Sequence, residues 1–229
     1  ARAVSPGRAA HSRPAPTRDR INNMSTTVSP STPSQARRGR PGYDQATVLN
    51  IAVQAFTEFG YDATSMGMLA ERLGISKSAI YHHVPSKVDI LRLALDSALA
   101  PLEAVFDAAE ASGGGAVDRL RHVLGGTLRV LFAHRLSVTL LLRLRGNSDV
   151  ELAAMERRRG LDRRVAALVK QAQAEGSLRS DLEPGPTARF LFGTVNSLTE
   201  WYRPEGTFSE EEAEKTILAL LFEGLLPRA

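Results

Sequence analysis

The chain has 229 residues, a formal charge of +4 and no cysteine. Disulfide frameworks, zinc ribbons and thiol nucleophiles are therefore excluded, and the composition fits a reducing cytoplasm. The longest apolar runs, at 138–142 and 217–222, fall well short of the roughly 20 residues that cross a bilayer, so no membrane partner is expected.

Charge is unevenly placed. Residues 1–43 hold eight arginines against Asp19 alone, a local +7 that leaves −3 for the remainder. A basic arm on a mildly acidic body suits contact with nucleic acid or an anionic surface, and equally suits a solvated tail. Residues 1–35 are rich in Ala, Arg, Ser, Pro and Thr with few large apolar side chains. Such a composition cannot offset the entropy of ordering, so the segment 1–43 is read as a disordered basic arm. It starts without methionine and shows no apolar signal-peptide core; Met24 lies inside it, and a start at Met24 with residues 1–23 upstream of it is the expectation. Arg37, Arg38 and Arg40, loosened by glycine and proline at 39, 41 and 42, can enter a minor groove or lie on a phosphate backbone; the alternative is a solvated linker.

Helical periodicity begins at Asp44. Val48, Ile51, Ala52, Ala55, Phe56 and Phe59 recur every three or four residues, which predicts one apolar stripe ending at Gly60. A second short helix is predicted from about Ser65 to Leu73, capped by Thr64 or Ser65, with Met68, Leu69 and Leu73 inward and Gly74 closing it. The third follows the cap Ser76 and stops at Pro85. The fourth starts near Ser86, with Pro101 bending or dividing it. Glycine and proline punctuation then predicts helices near 116–134, 137–145, 148–175, 185–202 and 209–226. No stretch alternates with a strand period, so the fold class is all-α.

The stretch from Thr64 to Lys87 carries the most information. Two short helices joined by Gly74-Ile75-Ser76 have the spacing of a helix-turn-helix, with Ala70, Leu73, Ile75 and Ile80 as the small core between them. Polar residues on the second helix can then reach base edges in a major groove.

This stretch resembles the DNA-binding signature of the TetR family: Thr64, Ala70, Gly74, Ser76, Lys77, Tyr81, His82 and Lys87 stand at the family's recurrent positions, over about residues 44–95. It departs at Val84, where the family usually carries an aromatic residue. The resemblance implies an N-terminal three-helix DNA-binding domain over 44–90, followed by a larger helical effector-binding and dimerisation domain over 91–229. It implies that Thr64, Tyr81 and Lys87 contact phosphates, Ser65 lying beside Thr64, and that Lys77, Ser78 and His82 meet base edges or adjacent phosphates. For Tyr81 the alternative is packing against the first helix. The partner is then double-stranded operator DNA.

So small a module makes few contacts, and a homodimer reading half-sites roughly 34–36 Å apart supplies the missing selectivity. The last two helices, with Phe190, Leu191, Val195, Leu198, Ile217, Leu218, Leu221, Phe222 and Leu225, can form that interface or an internal core. The segment 196–206, with Trp-Tyr-Arg-Pro at its centre, resembles a stretch of a TetR subgroup that responds to acyl-coenzyme A thioesters. That resemblance implies a small-molecule effector, an acyl-CoA among the candidates; Phe132, Arg143, Arg145, Asn196 and Trp201 are the candidate ligand-binding residues, and the two arginines beside an apolar helix suit the phosphates of such a ligand, with solvated arginines as the alternative. The basic run at 157–159, 163 and 164 reads as a solvated helix face. A bound effector is expected to bias a hinge over 84–101.

An enzyme is the rival of another class, but no serine elbow, phosphate-binding glycine loop or zinc-protease histidine pair occurs, and no cofactor or metal is expected. The adjacent His82 and His83 diverge by about 100° on a helix and make a poor metal pair. An activating or ligand-independent DNA-binding regulator would carry the same residues as a repressor.

Overall fold

Asp44 accepts a hydrogen bond from the Thr47 amide at 2.8 Å and starts the first helix, α1 (Gln45–Phe59). The computed structural model describes residues 44–225; the arm 1–43, with Arg37, Arg38 and Arg40, lies outside them. Ser65 caps α2 (Met66–Leu73), Ser76 caps α3 (Lys77–His83) and Ser86 caps α4 (Lys87–Ala111). In each, the hydroxyl satisfies an amide that has no partner within the helix. There follow α5 (Ala116–Ala133), α6 (Arg135–Leu142), α7 (Asp149–Ala174), α8 (Pro184–Trp201) and α9 (Glu210–Glu223). Every regular element among the described residues is an α-helix, and none is long and apolar enough to cross a membrane.

The main packing joins α4 to α5 and α7 to α8, with α5 and α7 between them, while α1 rests on α6 and α4. Phe106, Leu120, Leu124 and Leu128 lie at the centre, each almost fully buried. Two adjacent glycines permit this closeness. A Cβ at Gly126 would stand 2.4 Å from a methyl of Val105 on α4, and one at Gly125 would stand 2.8 Å from the Glu214 carboxylate on α9. Alanine normally favours a helix by about 1 kcal/mol over glycine. Here the overpacking outweighs that gain, and Gly126→Ala is expected to lower stability by about 1–3 kcal/mol in urea denaturation.

Four expectations change. Pro101 leaves α4 undivided; Leu99, Leu102 and Phe106 on either side of it are all buried, and their packing offsets the lost backbone bond. On α2 the buried methionine is Met66, whereas Met68 is 37 % exposed. Phe59 is 48 % exposed at the end of α1, where its ring lies under the Arg72 guanidinium at 5.9 Å. The basic run on α7 is not one solvated face. Arg157 makes a bidentate pair with Glu103, both bonds at 2.8 Å, and also reaches Asp96. Arg164 holds Asp107 and Glu110 while its guanidinium covers Phe106 at 5.0 Å. These arginines join α7 to α4, and of the run only Arg159 and Arg163 face outward, towards Glu156.

Candidate functional site

Gly74 adopts φ 64°, a left-handed conformation that costs glycine little, and its amide closes α2 against Ala70 and Glu71. The chain therefore turns within three residues and α3 begins at Ser76, whose hydroxyl accepts from the Ala79 amide at 3.2 Å. Ile80 and Val84 are 0 % exposed and anchor α3 from below. Val84 is extended, as the residue before a proline prefers, so the helix ends there. The smaller plug at this position is thus fully seated.

Anchoring one side of α3 turns the other outward. Lys77, Ser78, Tyr81 and His82 are all exposed, and the Tyr81 ring, 45 % exposed, does not pack into the core. Ser76 and Ser78 pair through their hydroxyls at 2.9 Å. Ser65, at the start of α2, is exposed too and accepts from the Met68 amide at 3.2 Å. Together these side chains present a hydroxyl-rich, cationic edge with hydrogen-bond donors, the chemistry that phosphates and base edges accept.

Two of the expected contact residues are engaged within the protein itself. Thr64 is 1 % exposed, and its hydroxyl donates to the Gly60 carbonyl at 2.8 Å. Its single proton is used inside the turn between α1 and α2, where it shapes the loop. Lys87 is half-buried; its ammonium sits 4.3 Å from the Tyr61 ring centre and donates to the Asp62 carbonyl at 3.4 Å. Burial pushes this ammonium below the usual lysine range, against the pull of Asp62. A phosphate contact from Lys87 requires it to leave that position.

The body contributes two concavities. A cleft of about 470 Å³ separates the α1–α2 loop from the α6–α7 loop. Arg143 lies there, donating to the Thr57 carbonyl at 3.4 Å and facing Glu200 at 3.7 Å. Asn147 bridges the same gap to the Asp62 carboxylate at 3.1 Å. Glu151 holds the loop itself: its buried carboxylate accepts from the amides of Arg145, Gly146 and Asn147 at 3.2, 2.8 and 3.1 Å.

The second concavity, about 300 Å³, lies among α4 to α8 and is lined by Leu102, Phe106, Leu131, Val138, Leu161 and Phe192, with Thr127, Arg158, Asp162, Arg189 and Asn196 as its polar groups. Of the five expected effector residues only Asn196 lines it. Arg143 and Arg145 line the outer cleft instead. Phe132 packs on Tyr202 at 5.0 Å, and Trp201, 52 % exposed, leans on Phe208 at 6.3 Å. The missed residues left a trace in the sequence. Thr127 interrupts the apolar face of Leu120, Leu124, Leu128 and Leu131, and Arg158 falls three and seven residues before the buried Leu161 and Val165.

Comparison with known proteins fits this geometry. Residues 48–94 match the family described as bacterial regulatory proteins of the tetR family, and residues 113–225 match the tetracyclin repressor-like C-terminal domain. SCO3833 of Streptomyces coelicolor A3, a member of the TetR transcriptional regulator family, is 48 % identical, with a TM-score of 0.74 over 79 % of this chain and 92 % of its own. The HTH-type transcriptional repressor KstR2 of Mycolicibacterium smegmatis is 25 % identical over 206 residues, 86 % of this chain and 96 % of its own. AibR, solved in complex with isovaleryl coenzyme A and operator DNA, shares the fold at a TM-score of 0.65 and 21 % identity, over 78 % of this chain and 97 % of its own. With its helix-turn-helix and its C-terminal helices both matched, the chain belongs to the TetR family of transcriptional regulators.

Proposed function

We propose that this regulator is a homodimeric repressor that reads operator DNA with α3 and lets go when a small hydrophobic effector fills the inner cavity. The observation that carries the reading is the two-sidedness of α3: Ile80 is fully buried while Lys77, Ser78, Tyr81 and His82 stand clear. Lys77 and Tyr81 supply phosphate contacts, and Ser78 and His82 reach base edges. The reading head spans residues 44–90, and the body beyond it holds the effector and the partner subunit. The arginines at 37, 38 and 40 add minor-groove or backbone contacts. Such a protein works in the cytoplasm, beside its operator. KstR2 is named a repressor, and AibR has been solved with an acyl-CoA and operator DNA together; both support the reading.

The two ends are mechanically joined in a way that suits ligand control. The first turn of α4 buries Ile90 and Leu91, whereas Leu102 and Phe106, further along the same helix, line the cavity. An occupant that shifts the far end of α4 displaces the reading head, and a dimer converts that displacement into altered half-site spacing.

The partner surface is read on α8 and α9. Leu191, Val195, Leu198 and Ile217 serve the chain's own core, but Phe190 is 76 % exposed and Leu225 88 % exposed, with Trp201 half exposed. Large apolar side chains left in water favour association with a second copy. Phe190→Glu is expected to give a monomer by light scattering. It should also weaken operator binding on the order of a hundredfold or more, because the avidity of two linked reading heads is lost. A variant that stays dimeric with unchanged affinity contradicts the proposed surface.

A further inference from the structure

The loop between α1 and α2 holds a cation of its own chain. Its root is fixed: Gly60 adopts φ 88°, and Thr64 closes the turn with its amide on the Tyr61 carbonyl at 3.2 Å and its hydroxyl on the Gly60 carbonyl. The Tyr61 ring stands edge-on to the buried Phe56 at 5.1 Å. Over that ring, 4.3 Å from its centre, sits the ammonium of Lys87, the first residue of α4. The Asp62 carbonyl, at 3.4 Å, is the second wall.

Each of these contacts is weak alone. A cation over a partly exposed ring gains little, and 3.4 Å is long for a hydrogen bond, whereas a phosphate oxygen offers a full negative charge. The lysine therefore stays on the protein only while both walls keep their spacing. Asp62 lies at the exposed tip of the loop, and its carboxylate accepts from the Asn147 side chain of the body at 3.1 Å. Asn147 is itself fixed, because its backbone amide donates to the buried Glu151 carboxylate at 3.1 Å. A second tie runs beside it, from Arg143 at the end of α6 to the Thr57 carbonyl of α1. The body thus braces the same loop that holds Lys87.

Resting on the regulator reading above, we infer that Asn147 and Asp62 are positioning residues for DNA binding: while the α6–α7 loop braces the α1–α2 loop, Lys87 stays on Tyr61, and when the brace opens Lys87 turns to a backbone phosphate. The braced form grips DNA less tightly. Helix α6 supplies Val138, Leu141 and Leu142 to the inner cavity and leads directly into the bracing loop. An occupant of the cavity therefore reaches Lys87 through α6, alongside the path through α4. Lys87 is the switched contact, and Lys77 and Tyr81 are the constant ones.

Binding of the full chain to a mixed-sequence duplex of about 30 base pairs tests this, because phosphate contacts do not depend on sequence. Each lysine that reaches a phosphate adds about 0.9 to the slope of log affinity against log salt. Asn147→Ala should therefore steepen the slope of the dimer by about 1.8 and tighten binding at about 0.1 M salt roughly tenfold. Lys87→Gln in the Asn147→Ala chain should cancel both gains, and the same replacement in the wild-type chain should move the slope less than half as far. The chain has no cysteine, so a variant with both Asp62→Cys and Asn147→Cys can be joined by a short bifunctional thiol reagent. The joined form should keep the wild-type slope, and the unjoined form should follow Asn147→Ala. An unmoved slope in Asn147→Ala, a steeper slope that survives Lys87→Gln, or joined and unjoined forms that bind alike overturns the inference. If the wild-type chain binds the duplex in those cases, the regulator reading stands; a wild-type chain that leaves the duplex unbound removes that reading, and the switch with it.

Discussion

Glu151→Ala is expected to remove about 3 kcal/mol or more from the stability of the folded chain. The carboxylate is 4 % exposed and receives three consecutive loop amides, all within 3.2 Å. Hydrogen bonds to a charged acceptor contribute about 1.5–3 kcal/mol each, and the amides regain part of that by turning to water. Glu151→Gln keeps an oxygen acceptor but loses the charge, so roughly half the loss is expected. Urea denaturation followed by circular dichroism measures both. The effect reaches beyond stability. The loop that Glu151 orders carries Asn147, which holds Asp62 in the reading head, so the alanine variant should also couple effector and operator more weakly.

Replacing Tyr81 and His82 together by alanine has the opposite character: it should spare the fold and abolish specific binding. Both side chains are exposed on α3, where substitutions normally change stability by no more than about 0.5 kcal/mol. In a dimer each acts twice. At about 1 kcal/mol for each of the four contacts, operator affinity should fall by about 4 kcal/mol, close to a thousandfold. Fluorescence anisotropy on labelled operator, with random-sequence DNA as reference, separates this from a general loss of charge. Affinity for the random duplex should fall less, by the Tyr81 phosphate contacts alone, because the base contacts of His82 count only on the operator.

The sequence made the reading head legible because its signals are local. A serine before each short helix and a glycine after α2 are properties of a few adjacent residues, and the structure places Ser65, Ser76 and Gly74 as those signals require. Inward and outward positions were less legible on an eight-residue helix. Two turns fit the stripe Met66, Leu69, Ala70 and Leu73 as well as one through Met68, and only packing against α1 and α3 decides between them.

The effector residues were harder still, because a cavity is made by distant elements. Nothing near Arg158 in sequence shows that it faces Thr127 and Arg189 across α5, α7 and α8. Nothing near Arg143 shows that it turns towards Thr57. Similarly, the acidic partners of Arg157 and Arg164 lie 54 to 61 residues away on α4, and a local reading sees only a run of positive charge. The burial of Thr64 is hidden for a related reason: a family resemblance assigns the residue a position, but the bond to the Gly60 carbonyl that takes its proton depends on how the loop folds.

The central claim is that the polar side of α3 lies against a specific duplex. Selecting genomic fragments with the purified dimer at about 0.15 M salt, then footprinting the recovered fragment, tests it most directly. The account predicts a protected, two-fold symmetric site whose half-sites repeat after about one helical turn or a multiple of it, and its loss in the Tyr81→Ala, His82→Ala double variant. Recovery of fragments with no common site, or an unchanged footprint from the double variant, would contradict it.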